Sequence, residues 1–114
     1  MKTITTLIRS APFNNIVVGE GLRMSVGLLL SDNKVRVVLM EDGVYLLGTL
    51  QPEIVGAQDI NRHLQTLQDF GAEIIVDKKS IEARKNLQPT LDTVLKSREE
   101  IATILADCQH VTVL

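Results

Sequence analysis

Acidic side chains follow two apolar segments that have the composition of buried strands. Asp77 comes directly after the run Ile74-Ile75-Val76, and Glu41 and Asp42 follow the run 35–40. In a parallel sheet the carboxyl ends of neighbouring strands lie at one edge, where open α/β sheets bind ligands. Carboxylate oxygens at such an edge can bind a hard cation such as Mg²⁺. One hypothesis is therefore a small-molecule or metal-binding site built on Ser10, Asn14, Asp42 and Asp77.

Asp77 also has a purely structural interpretation. The residues after it, Lys78-Lys79-Ser80, open a short segment that reads as a helix. Aspartate is a preferred N-cap residue, because its side-chain oxygen accepts hydrogen bonds from the free amides of the first helical turn. We therefore expect Asp77 to cap this helix.

Cys108 is the single cysteine, so an intramolecular disulfide and a multi-cysteine zinc site are excluded. We expect it at a helix-to-strand junction, on the sheet edge opposite Asp77. A free cysteine is commonly buried and inert. In the other interpretation, His110 lies on the same strand face and helps to ionise an exposed thiol.

Composition excludes several classes of protein. The chain has 114 residues, a net charge of −2 and only 3% aromatic residues. Neither a basic patch nor aromatic stacking platforms for nucleic acid are therefore expected. The N-terminal segment is too polar for a signal peptide, and no apolar stretch is long enough to span a bilayer. We expect a cytoplasmic protein that binds neither nucleic acid nor membranes.

Strand-like and helix-like segments alternate from end to end. Short β-branched or apolar segments predict five strands, at 3–8, 35–40, 72–76, 93–95 and 111–114. The sequence Ser97-Arg98-Glu99-Glu100 is a capping box that opens the last helix. Since parallel strands need helical crossovers, we predict an α/β fold, a three-layer α/β/α sandwich with a five-stranded, mostly parallel sheet. We expect a single domain over residues 1–114.

Several segments together resemble a known family. They are Ile8-Arg9-Ser10-Ala11-Pro12-Phe13, Glu20-Gly21-Leu22, the run 38–47, Phe70-Gly71-Ala72-Glu73 and Leu105-Ala106-Asp107. In order and spacing they resemble the DsrE/DsrF/DsrH-like family, which includes the TusBCD and YchN-like sulfur-relay proteins. The Ser-Ala-Pro-aromatic start and the Asp-Gly-Val turn look most like the DsrF/TusC branch.

The resemblance implies a small parallel-sheet domain that forms dimers, trimers or hexamers and takes part in intracellular sulfur transfer. In sulfur-carrying members, a persulfide forms on a cysteine just after the third strand, before a small residue and an arginine–glycine pair. Here Asp77 replaces that cysteine, Ser80 and Arg84 fit the pattern, and Lys85 replaces the glycine. The resemblance therefore implies that the catalytic cysteine is missing.

These observations lead to three hypotheses. The first is a non-catalytic subunit or homo-oligomer with a scaffold or docking role, without a cofactor, whose partners include sulfur-carrier proteins. The second is an active sulfur carrier that forms a persulfide on Cys108, and the third is the ligand site described above. Phe13 and Tyr45 line either a pocket or a subunit interface. The binding residues predicted from sequence are Ser10, Phe13, Asn14, Asp42, Tyr45, Asp77, Ser80 and Arg84.

Overall fold

The predicted strands form one parallel sheet. The computed structural model describes residues 2–9, 16–47, 65–83 and 93–114. The strands are β1 (Thr3–Ile8), β2 (Lys34–Leu39), β3 (Glu73–Asp77), β4 (Val94–Lys96) and β5 (His110–Val113). They are ordered β4-β3-β2-β1-β5, and each neighbouring pair is parallel. The predicted five-stranded α/β sheet is confirmed, with strand ends displaced by about one residue.

Helical segments cover both faces of this sheet. The segments on one face are α1 (Ile16–Leu30), a 3-10 helix (Glu41–Leu47), α2 (65–69) and α3 (Lys78–Glu82). On the other face lies α4 (Arg98–Asp107). This arrangement confirms the three layers. Over the described ranges, no helix has the length and apolar character needed to cross a lipid bilayer.

Alternating side chains of the central strands build two apolar cores. Val37 and Leu39 of β2 pack on one face with Leu22 of α1, while Val38 packs on the other face with Ile101 of α4. Successive side chains of a strand point to opposite faces, so a strand between two helical layers needs apolar residues at nearly every position. The continuous apolar run of β2 therefore has a direct explanation.

The capping box at the start of α4 forms as predicted. The Ser97 hydroxyl accepts a hydrogen bond from the Glu100 amide at 3.2 Å, and the Glu100 carboxylate accepts one from the Ser97 amide at 3.2 Å. Two amides that the helix itself leaves unpaired are satisfied in this way. The box places α4 at the end of β4, next to the carboxyl edge of the sheet.

A glycine allows the 3-10 helix to lie directly against the end of β1. The Met40 amide donates to the Ile8 carbonyl at 3.0 Å, and the Gly43 amide donates to the Met40 carbonyl at 2.8 Å. A Cβ atom on Gly43 would lie 2.0 Å from the Ile8 carbonyl oxygen. Since that oxygen belongs to the backbone of a buried strand, it cannot rotate away.

Gly43→Ala should therefore lower the free energy of unfolding by about 1–3 kcal/mol, the usual range for an overpacked site. Urea unfolding followed by circular dichroism measures the change. Gly27→Ala is the matched control, because a Cβ atom at Gly27 would meet nothing within 4 Å. That control should raise stability by roughly 0.5–1 kcal/mol, since Gly27 lies inside α1. Equal effects of the two substitutions would contradict the proposed steric contact.

The capping box also makes stability depend on pH. The backbone N–H of Ser97 lowers the pKa of Glu100, with smaller contributions from the Ser97 hydroxyl and the nearby Lys96 ammonium. A lowered pKa stabilises the fold above the ordinary glutamate value of about 4.3, and this contribution is lost as pH falls through the folded-state value. The difference in unfolding free energy between wild type and Glu100→Gln should therefore shrink between about pH 5 and pH 3. A difference that stays constant over this pH range would contradict the contribution of the ionised Glu100 carboxylate to stability.

Candidate functional site

Four polar residues meet at the carboxyl edge of the sheet. Asp77 ends β3, Ser80 lies in α3, Glu41 begins the 3-10 helix after β2, and Arg98 begins α4. The parallel register brings the ends of β2 and β3 together, because Leu39 pairs with Val76. We call this group the Asp77 network.

Asp77 is the centre of this network. Its side chain is fully buried, and Oδ2 accepts hydrogen bonds from the Ser80 hydroxyl at 2.5 Å and from Arg98 Nε at 3.0 Å. The other oxygen, Oδ1, is buried and finds no hydrogen-bond partner in the described part of the chain. Asp77 does stand at the N-cap position of α3, but its side chain makes no capping hydrogen bond. The prediction that its oxygen caps the helix is therefore wrong, because Ser80 and Arg98 bind that oxygen instead.

Glu41 completes the network from the other side of Arg98. Its carboxylate accepts a hydrogen bond from a terminal nitrogen of Arg98 at 3.2 Å, and its amide donates to the Ser80 hydroxyl at 2.9 Å. Its φ angle of 52° lies in the left-handed region, which few residues other than glycine adopt. This unusual backbone directs both the amide and the carboxylate of Glu41 toward the network.

Arg98 is the residue that sequence reasoning missed. In the sequence it is part of the capping box, and in the structure its guanidinium bridges two carboxylates. A cation at the first position of a helix is unfavourable, because the helix N-terminus carries partial positive charge. The signal available in the sequence was therefore only a cation at a position where a helix disfavours positive charge. The guanidinium also lies between the carboxylates of Glu41 and Asp77, which were expected to attract a metal ion.

The structure brings together only part of the residue set predicted from sequence. Asp77 and Ser80 are in contact, and Asp42 lies exposed on the first turn of the 3-10 helix. Tyr45 lies on the same short helix, where the structure describes its backbone. The other predicted residues, Ser10, Phe13, Asn14 and Arg84, lie outside the described residues. In the part of the chain that is described, no group of three or more His, Cys, Asp or Glu residues could hold a metal ion.

A surface depression of about 480 Å³ adjoins the network. Both cationic and anionic side chains line it, so the lining has no single sign of charge. The lining residues are Lys78, Lys79, Glu82, Ser97, Arg98 and Glu99. Arg98 belongs both to this lining and to the Asp77 network, and its side chain is 49% exposed. The guanidinium therefore separates the buried Asp77 carboxylate from solvent.

Cys108 lies at the opposite edge of the sheet, between the end of α4 and the start of β5, as predicted. Its side chain is partly exposed, and the thiol contacts the carbonyl oxygens of Leu105 and His110, each at 3.3 Å. In these contacts the thiol can donate its single hydrogen to a main-chain oxygen. The contact with His110 is made to its main-chain carbonyl oxygen and not to its imidazole ring.

Arg98→Gln should lower the free energy of unfolding by about 2–3 kcal/mol, because it leaves a buried carboxylate without its cationic partner. Chemical denaturation measures the change. Lys96→Gln is the control, since it breaks an exposed ion pair with Glu100 at 3.7 Å. That pair should contribute little to stability, because solvent screens exposed ion pairs. If Arg98→Gln is as mild as this control, the buried ion pair does not hold the edge together.

Comparisons with known proteins add the family to this geometry. No curated protein matches the chain significantly. Among solved structures, the chain is similar to the ychN protein from E. coli, with a TM-score of 0.84 and 20% sequence identity over 100% of both chains. At this identity the likeness concerns the fold alone. The DsrF/TusC branch is not distinguished and stays a prediction. The chain matches the DsrE/DsrF-like family over residues 2–113, and it therefore belongs to that family.

Proposed function

We propose that this protein is a non-catalytic member of its family that takes part in intracellular sulfur transfer as a scaffold or docking subunit. The observation that carries the proposal is the chemistry at the end of β3. Asp77 stands where the family resemblance places a persulfide-forming cysteine, and its carboxylate is buried against Ser80 and Arg98. A carboxylate cannot replace the thiolate that accepts and releases sulfur.

The surface supports a role in assembly. Val94 and Leu95 on the edge strand β4 are 46% and 51% exposed, and Val111 and Val113 on the opposite edge strand β5 are 40% and 58% exposed. Exposed apolar side chains on sheet edges favour contact with another protein. On this proposal the chain acts as one domain, forms a homo-oligomer such as a dimer, trimer or hexamer, and contacts sulfur-carrier proteins.

The alternative of an active carrier requires Cys108 to be an accessible thiolate. Its thiol instead lies within 3.3 Å of two main-chain carbonyl oxygens, that of Leu105 in α4 and that of His110 in β5. These contacts support the non-catalytic proposal over the carrier.

Incubation of the wild-type protein with a small-molecule persulfide donor at neutral pH should add no sulfur atom to the intact mass. Cys108→Ser is the control and should give the same result, because the described residues offer no other thiol. Intact-protein mass spectrometry resolves the addition of a single sulfur atom. An adduct on wild type that disappears in Cys108→Ser would favour the carrier hypothesis and contradict the passive role.

A second experiment measures binding of a purified sulfurtransferase or sulfur-carrier protein, which should be equal for wild type and Cys108→Ser. A strict monomer that binds neither protein would overturn the proposal.

A further inference from the structure

We infer that Ser80 and Arg98 form an anion-binding cradle at the end of β3, which this chain fills with its own Asp77 carboxylate. The ligand class of the cradle is a small anion, such as formate or acetate. The inference deepens the proposed function, because it describes the surroundings of position 77, where a cysteine would make the protein a sulfur carrier and an aspartate would not. Its link to sulfur transfer rests on the proposed function, whereas the cradle itself is inferred from the contacts of Asp77, Ser80 and Arg98.

Two donors converge on one oxygen of Asp77. The Ser80 hydroxyl lies 2.5 Å from Oδ2, and Arg98 Nε lies 3.0 Å from the same atom. One donor is a hydroxyl and the other is a cation, and charge-assisted hydrogen bonds of this kind are among the stronger ones in proteins. Since Oδ1 makes no hydrogen bond to the described residues, the two described hydrogen bonds both fall on Oδ2. An anion that offers one oxygen is therefore sufficient to replace the side chain.

Other contacts hold both donors in place. The Ser80 hydroxyl accepts the Glu41 amide at 2.9 Å, so its own hydrogen is left for Asp77. A terminal nitrogen of Arg98 donates to the Glu41 carboxylate at 3.2 Å, and the Ser97 capping box fixes the start of α4. Donors positioned in advance bind a ligand with little loss of conformational entropy. The cradle should therefore survive removal of the Asp77 carboxylate.

Burial gives the cradle its selectivity for negative charge. The Asp77 side chain is fully buried, whereas the Arg98 side chain is 49% exposed and also lines the neighbouring depression. An empty cradle would deprive the Ser80 hydroxyl and Arg98 Nε of the acceptor that Asp77 provides, which is unfavourable. A small anion entering past Arg98 would satisfy both donors.

Chemical rescue of Asp77→Ala tests the cradle. Sodium formate at ten times its dissociation constant should raise the melting temperature of this variant by about 6 °C, relative to sodium chloride at equal ionic strength. Wild type should show no such shift, because its cradle is full. Asp77→Ala combined with Arg98→Gln should also show none, because the cation is gone. Rescue that persists without Arg98, or that is absent from folded Asp77→Ala, overturns the inference.

A second variant keeps the test decisive if Asp77→Ala does not fold. Asp77→Cys in the Cys108→Ser background introduces one thiol into the cradle. Ultraviolet absorbance of the thiolate should show that it ionises about one pH unit lower than the same thiol with Arg98→Gln added, because the guanidinium stabilises the anion. Identical titration curves would overturn the inference. Formate rescue or a shifted titration, together with failed partner binding, would support the cradle and contradict the proposed function. Partner binding without rescue and without a shifted titration would support the proposed function and contradict the cradle.

Discussion

The Arg98 guanidinium, shared between the carboxylates of Asp77 and Glu41, is the interaction on which the carboxyl edge of the sheet depends. Asp77 is fully buried, and a buried carboxylate without a partner is strongly destabilising. Arg98 begins α4, Asp77 ends β3 and Glu41 begins the 3-10 helix. One side chain therefore joins three segments that lie far apart in the sequence. The same pairing offsets the unfavourable position of a cation at a helix N-terminus.

The proposed function follows from two features of this edge, which are donors suited to an anion and the absence of a thiol at position 77. Ser80 and Arg98 surround the end of β3 with donors suited to a negative charge. A carboxylate and a thiolate are both anions, and either agrees with these surroundings. Only sulfur, however, can accept and release another sulfur atom. On the proposed function, a single residue type at position 77 therefore separates a docking subunit from a carrier, while the fold of the family remains unchanged.

The prediction of the fold succeeded where the sequence signal is local. The apolar run of β2 indicated a strand buried on both faces, and the serine–glutamate spacing of the capping box indicated the start of α4. The candidate site was predicted less well. The position of Asp77 at a strand end was correct, but its bonding partners were not identified. Arg98 lies 21 residues further along the chain, and no periodic pattern connects the two residues.

The sequence by itself therefore determined the alternation of strands and helices, the parallel sheet and the presence of a carboxylate at the end of the third strand. These properties depend on residue type and on short-range periodicity. Only the tertiary structure decided that Asp77 binds Ser80 and Arg98 instead of capping α3, and that the Cys108 thiol faces main-chain carbonyls at the other edge. The Asp77 contacts depend on strand order, because β4 lies beside β3 with Lys96 in register with Asp77 and so places Arg98 within reach of the buried carboxylate.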